Sequence, residues 1–169
     1  TVASGLARAR GIALDRVGNA YVAESYAHRI VRIDATTRAK TVVAGTGERG
    51  FGGDGRAATA AKLHFPGGVA VDSKDRIYFA DFENHRVRRI DEHGIISTVA
   101  GSGHGNGAPS QADGDGGPAT EAALNFPLDV AVDRDDRVYI ADGDNNRVRR
   151  FEPGGTITTV AGTGMWEDE

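Results

Sequence analysis

Three near-copies of one stretch, short strand-forming runs of period two within each copy, and apolar residues on both faces of the leading runs predict an all-β fold. The architecture they predict is a β-propeller of four-stranded antiparallel blades, three blades in this chain. The central copy is Gly68–Asp91, GVAVDSKDRIYFADFENHRVRRID. Its sisters are Gly11–Asp34, GIALDRVGNAYVAESYAHRIVRID, and Asp129–Glu152, DVAVDRDDRVYIADGDNNRVRRFE. Each is followed by a fourth apolar run ending in glycine: TVVAG (41–45), STVAG (97–101) and TTVAG (158–162). A period of about sixty residues takes precedence over the domain count that length alone would suggest. The expectation is one unit over residues 1–169, with blade 1 about 10–45, blade 2 about 67–101 and blade 3 about 128–162. Gly-rich inserts at 46–66 and 102–127 join the blades.

Each element follows from its residues. In the first strand Val69 and Val71 alternate with Ala70; in the second Ile77 and Phe79 alternate with Tyr78 and Ala80; in the third Val87 and Ile90 sit among arginines. These runs place the four strands of the middle blade at 67–72, 76–81, 86–91 and 95–101. DRVGN, DSKDR and DRDDR between the first and second strands are turn chemistry, with Asp, Asn and Gly supplying side-chain acceptors and left-handed conformations. An isolated meander needs one apolar face. A sheet packed between two similar sheets needs both, which is the condition inside a propeller.

Both inserts contain GDG, then A-T-x-A-x-L, then x-F-P. The pattern suits a short helix, with Pro118 at its first position in the second insert. Pro66 and Pro127 then set the chain extended for the next blade. Leu63, Phe65, Leu124 and Phe126 are expected to plug the helix onto the blade edge. Residues 1–10, TVASGLARAR, read either as the tail of such a helix or as a truncated fourth strand.

The bulk composition excludes several function classes. A net charge of −4 leaves no basic footprint for nucleic acid. No apolar run is long enough to span a bilayer, and no charged-then-apolar leader is visible. Without cysteine there is no disulfide, thiolate nucleophile or Cys-ligated zinc. The 24 glycines concentrate between the repeats and read as loops.

GVAVD, YFADFENHRVRRID and GDGGPATEAALNFP resemble the NHL repeat, as found in bacterial NHL-repeat proteins and in the NHL region of teneurins. The resemblance implies a propeller that is usually six-bladed, an extracellular or periplasmic setting, and a binding or scaffold role. With three blades the chain is half of such a ring. Two blade faces are then left open, and the expected partner is the chain itself, two copies closing one ring. A fragment of a longer NHL protein is the other reading.

Strand parity puts the turn between the second and third strands on the same end as the inserts. That end is the expected binding face for a protein or small molecule. Its candidates are Tyr26, His28, His64, Phe82, His85, Asn125, Asp144 and Asn146, at several of which the copies disagree: His85 stands against Asn146, and Phe82 against Tyr26 and Gly143. No catalytic residue is assigned. A propeller lyase or lactonase with metal near the channel is the enzymatic alternative, and zinc at His28 and His85 is its form here. His or Asn in a tight turn is instead expected to bond within its own turn. Asp113 and Asp115, with Glu121, suggest calcium, but their spacing does not fit an EF-hand. No cofactor is therefore predicted. Glu24/Arg29, Asp81/Arg86 and Asp142/Arg147 are expected as strand-end ion pairs. Arg32, Arg88, Arg89, Arg149 and Arg150 on the third strands admit an anion-binding reading, weighed against solvated or strand-spanning side chains. Trp166 in the acidic tail is expected to fill a gap at the edge of blade 3.

Overall fold

The computed structural model describes residues 5–105 and 114–164. Three four-stranded antiparallel sheets form, each with its strands in sequence order. Blade 1 is β1 (Ala9–Leu14), β2 (Ala20–Glu24), β3 (Arg29–Ile33) and β4 (Lys40–Ala44). Blade 2 is β5 (Pro66–Val71), β6 (Ile77–Asp81), β7 (Arg86–Ile90) and β8 (Ile96–Ala100). Blade 3 is β9 (Pro127–Val132), β10 (Val138–Asp142), β11 (Arg147–Phe151) and β12 (Ile157–Ala161). These are three blades of a β-propeller.

The leading strands β1, β5 and β9 lie side by side. Glycine permits this approach: a Cβ on Gly11 would stand 2.5 Å from the Gly67 carbonyl oxygen and 2.6 Å from the Gly68 Cα. Two cores fill the gaps between blades. Tyr21, Ala23 and Ile30 of blade 1 pack against Val69, Phe79, Ile90 and Ile96 of blade 2. Ala70, Tyr78, Ala80, Val87 and Val99, on the other face of blade 2, pack against Val130, Ile140, Phe151 and Ile157 of blade 3. Every residue of β6 is buried, whereas β1 and β9 each leave residues exposed. The two-faced apolar pattern is thus satisfied in blade 2 and only half satisfied at the ends.

The turns repeat as chemistry. Asp15, Asp72 and Asp133 each accept from the backbone N–H groups two and four residues on, at 2.8–3.1 Å. The hydroxyls of Tyr21, Tyr78 and Tyr139 donate to the same carboxylates. Burial pushes the Tyr78 hydroxyl up to about 12. Desolvation raises Asp133, but the Arg137 side chain and the turn N–H groups together outweigh it and hold the carboxyl at about 2.

The inserts differ from the expected helices. Among the described residues each contains only a three-residue 3₁₀ turn, Ala58–Ala60 and Ala119–Glu121, with Pro118 just before the second. The other described residues of the inserts run through turns and isolated bridges toward the next blade. Ala57 bridges to Ile95, and Pro118 to Thr156, beside the outer strands β8 and β12. This covers strand edges that would otherwise be open to pairing. Leu63 and Leu124 are fully buried, as expected, while Phe65 and Phe126 remain half-buried on the turn end. Residues 5–8 form neither a helix nor a fourth strand. Trp166 lies outside the described residues.

The GDG aspartates explain the arginine pattern. Arg88 is fully buried and lies between two carboxylates, Asp81 at 3.0 Å and Asp54 at 2.6 Å. Arg149 repeats this with Asp142 at 3.3 Å and Asp115 at 2.6 Å. Asp54 also accepts from the Thr98 hydroxyl, and Asp115 from the Thr159 N–H. Two of the five arginines are therefore neither solvated nor open to an external anion. Blade 1 has Val31 and Val42 where blades 2 and 3 have Arg88/Thr98 and Arg149/Thr159.

Replacing Arg88 with leucine strands the Asp81 charge in the interior. Breaking one side of a buried pair costs about 3–5 kcal/mol, so R88L is expected to lose that much in urea unfolding. R150A, on a partly exposed side chain of the same strand type, should lose less than about 1 kcal/mol.

Candidate functional site

The acid that ends each second strand organises the turn end of the molecule. Asp81 accepts from the His64 N–H at 2.8 Å and Asp142 from the Asn125 N–H at 2.7 Å. Glu24 accepts from the Ala7 N–H at 3.0 Å. In every blade the donor lies seventeen residues upstream. The acid thereby anchors the segment that enters its own blade. Asn84 and Asn145 donate to the same two aspartates from inside the turns, at 2.8 and 2.9 Å.

Burial pushes the Asp81 and Asp142 carboxyls up, and their N–H and arginine partners offset this only in part. Burial acts the same way on Glu24, but there Arg29, the Ala7 N–H and Lys40 prevail and hold it below the usual range. Of the three expected strand-end pairs, Glu24–Arg29 forms. Asp81 and Asp142 stand opposite Arg86 and Arg147 in the ladder, yet their carboxylates bond Arg88 and Arg149 instead. Arg86 turns away to the carbonyls of Asn84 and Ser102 and stacks on Phe51 at 3.9 Å.

His28, His85 and Asn146 close equivalent 3₁₀ turns in left-handed backbone, at φ 50°, 52° and 49°. Their backbone N–H groups bond within the turn. The imidazoles do something the sequence reading did not anticipate. His28 Nδ1 accepts from the Phe65 N–H at 3.2 Å, and His85 Nδ1 from the Phe126 N–H at 3.1 Å. Each ring therefore latches its blade to the segment entering the next one. The donated N–H requires an unprotonated Nδ1, so each ring is neutral with its proton on Nε2. Burial lowers the pKa of both. His64 lies beside His28 with the rings tilted by 59° and their centroids 5.7 Å apart, and stacks on Phe65 at 5.2 Å. Among the described residues no group of three or more His, Asp or Glu could hold a metal. Asp115 is occupied by Arg149 and Thr159, and Asp113 lies outside the described residues.

The aromatic candidates form ladders along this end. Tyr26 packs edge-on to Phe65 at 5.1 Å, and Phe82 on Phe126 at 5.0 Å. Tyr26 and Phe82 are not register equivalents, since the turns align Tyr26 with Glu83 and Asp144, and Phe82 with Ser25 and Gly143. They nonetheless fill the same place beside the next blade's Phe. Two residues absent from the sequence reading complete the ladders: Arg8 lies over Tyr26 at 4.4 Å and Arg10 over Phe82 at 4.9 Å. With Phe65 and Glu83 these side chains line a cleft of about 430 Å³ between blades 1 and 2. Arg8 occupies the position of Phe65 and Phe126 and shares their left-handed backbone, φ 48° against 49° and 47°. That break in the repeat is the signal that would have found it. Asn125 is buried and its carbonyl accepts from Asp144, which is exposed.

The two histidine latches predict a pH dependence. Their folded pKa values lie below the unfolded value of about 6.5, so the unfolded state binds more protons as pH falls past that point. Stability is present above it and declines below it, through the lowered folded pKa values. H28N/H85N, which installs the residue found in blade 3, should flatten the drop in Tm between neutral pH and about pH 5.5. An unchanged drop would assign the dependence to other groups.

Comparison with known proteins agrees with this architecture. The model of the teneurin NHL domain matches residues 34–114, and that of the NHL repeat matches residues 124–151. Teneurin-3 of Danio rerio is 35% identical over 161 residues, covering 88% of this chain and 6% of the relative. The chain thus spans a small part of the curated relatives it matches. Those relatives are animal proteins, so the expected bacterial assignment finds no support in them. A solved auxiliary nutrient binding protein from Bacteroides thetaiotaomicron superposes with TM-score 0.65 at 26% identity, covering 88% of this chain and 36% of its own. A gluconolactonase from Xanthomonas campestris superposes with TM-score 0.64 at 16% identity, covering 96% and 50%, and at that identity shares the fold alone. On its repeats, its blades and these matches, the chain belongs to the NHL-repeat family of β-propeller proteins.

Proposed function

We propose that this chain is a non-enzymatic NHL binding and scaffold module that self-associates, two copies closing one six-bladed ring. One observation carries the reading. The outer face of blade 3 consists of Ala131, Tyr139, Ala141, Val148, Val160 and Ala161. Residue for residue it matches the face of blade 2 formed by Ala70, Tyr78, Ala80, Val87, Val99 and Ala100, which blade 3 buries to 7% exposure or less. Yet Val148 is 37% and Val160 44% exposed. At the other end Ile12 is 67% and Leu14 63% exposed, beside a cleft of about 580 Å³. A face composed to be covered by a blade, left open beside a second open face, supports docking of the one against the other.

A binding role is favoured over catalysis because the polar groups of the turn end are engaged in bonds that recur from blade to blade. The turn end between blades 1 and 2, with its aromatic cleft, is the surface offered to ligands. The nutrient-binding description of one solved relative is in keeping with capture rather than turnover.

Light scattering after size exclusion is expected to give about twice the chain mass of 17.7 kDa. Ile12→Asp and Val148→Asp, one on each open face, should each shift the protein to monomer without lowering its helix-free circular dichroism signature. A wild-type monomer at micromolar concentration would sink self-association.

A further inference from the structure

The internal junctions specify which side chains must meet at any further junction, because the chain repeats. Tyr26 of blade 1 contacts Phe65 at the entry of blade 2, and the His28 ring accepts the Phe65 N–H. Gly11 of blade 1 abuts Gly67 and Gly68 of blade 2, and Gly68 in turn abuts Asp129 of blade 3. Continuing the series past blade 3, Asp144 stands in the place of Tyr26, Asn146 in that of His28, and Asp129 in that of Gly11 and Gly68. At the entry of blade 1, Arg8 stands in the place of Phe65, and Arg10 in that of Gly67.

From this register we infer that the partner of blade 3 is blade 1 of a second copy, and that the seam is held by two acid–base pairs, Asp144 with Arg8 and Asp129 with Arg10. Phe65 and Phe126 give way to Arg8, Gly67 and Leu128 to Arg10, and Gly11 and Gly68 to Asp129; the Asp144 position is Tyr26 in blade 1 and already an acid, Glu83, in blade 2, so the seam alone sets carboxylates on one open edge against guanidiniums on the other. All four side chains are exposed, and none has an ion pair among the described residues. Tyr26 and Phe82 hold the two guanidiniums by their faces, which leaves the in-plane N–H donors available to a carboxylate. Asn146 supplies a carbonyl oxygen where His28 supplies Nδ1, so it can accept the Arg8 N–H; its buried amide nitrogen has no partner among the described residues.

The seam also differs from the internal junctions at its other end. There Arg16 pairs with Asp75 at 2.8 Å, and Ser73 donates to Asp136 at 2.7 and 2.9 Å. The corresponding seam residues are Arg134 and Gly18, which form no pair. The charge that fixes register thus moves from the Asp75/Asp136 end of the junction to the turn end. An acidic edge meeting a basic edge is head-to-tail, and two such seams close a two-fold ring.

This inference rests on the self-association proposed above, and charge exchange separates the two. One variant, R8E/R10E, makes both open edges acidic; the other, D129K/D144K, makes both basic. Each alone is expected to dimerise at least tenfold more weakly than wild type, because like charges face each other at both seams. Mixed in equal amounts they should recover the wild-type dimer, since both seams of the mixed ring join opposite charges. Native mass spectrometry identifies the mixed dimer, and thermal melts of each variant confirm that the blades stay folded. Variants that dimerise as well alone as mixed would overturn the paired seam while leaving self-association standing. A monomeric wild type would overturn the second copy as partner.

Discussion

A carboxylate at the end of each second strand, bonded to a backbone N–H seventeen residues upstream, is the constraint on which the rest of the molecule depends. It fixes where the chain enters the blade, and so where the leading strand runs beside its neighbour. In blades 2 and 3 the same carboxylate carries a buried arginine, and a second aspartate from the insert closes the other side. A charge this deep persists only when its partners are complete. The insert, the second strand and the third strand therefore form together or not at all.

The polar residues of the turn end serve the fold. Histidines in a repeated turn suggest metal ligands, and strand arginines suggest anion sites. Here the His28 and His85 rings accept backbone N–H groups from the neighbouring blade, and Arg88 and Arg149 are enclosed by acids. Arg8, Arg10, Asp129 and Asp144, by contrast, have no ion pair among the described residues, and the first three stand where the other blades carry no charge. A repeat protein builds its architecture from what recurs and its individuality from what does not.

Much of the fold was legible because a strand carries its own signature. Alternation at Ile77–Asp81 places side chains on both faces, and the Asp-rich turns supply their own acceptors, so strand positions and blade number followed from local sequence. The site was less legible. Asp54 and Arg88 are 34 residues apart, as are Asp115 and Arg149, and no local pattern joins them. The expected pairs Asp81/Arg86 and Asp142/Arg147 are ladder neighbours, yet proximity in the ladder did not decide which arginine the acid chose. The inserts were expected to carry helices on the strength of Ala, Thr and Leu, but bridging to the outer strands offered more hydrogen bonds than a single helical turn.

The sequence by itself determined the period, the strands, the turns and the family, because each rests on residues close together in the chain. Only the tertiary structure decided which acid meets which arginine, which imidazole nitrogen is used, and which of two apolar faces is covered. Those outcomes depend on contacts between blades, where the geometry of packing, rather than spacing along the chain, sets the partner. The Asp81 carboxylate belongs to both levels: its place at a strand end is written locally, and its bonds to His64 and Arg88 exist only once the blade has closed around it.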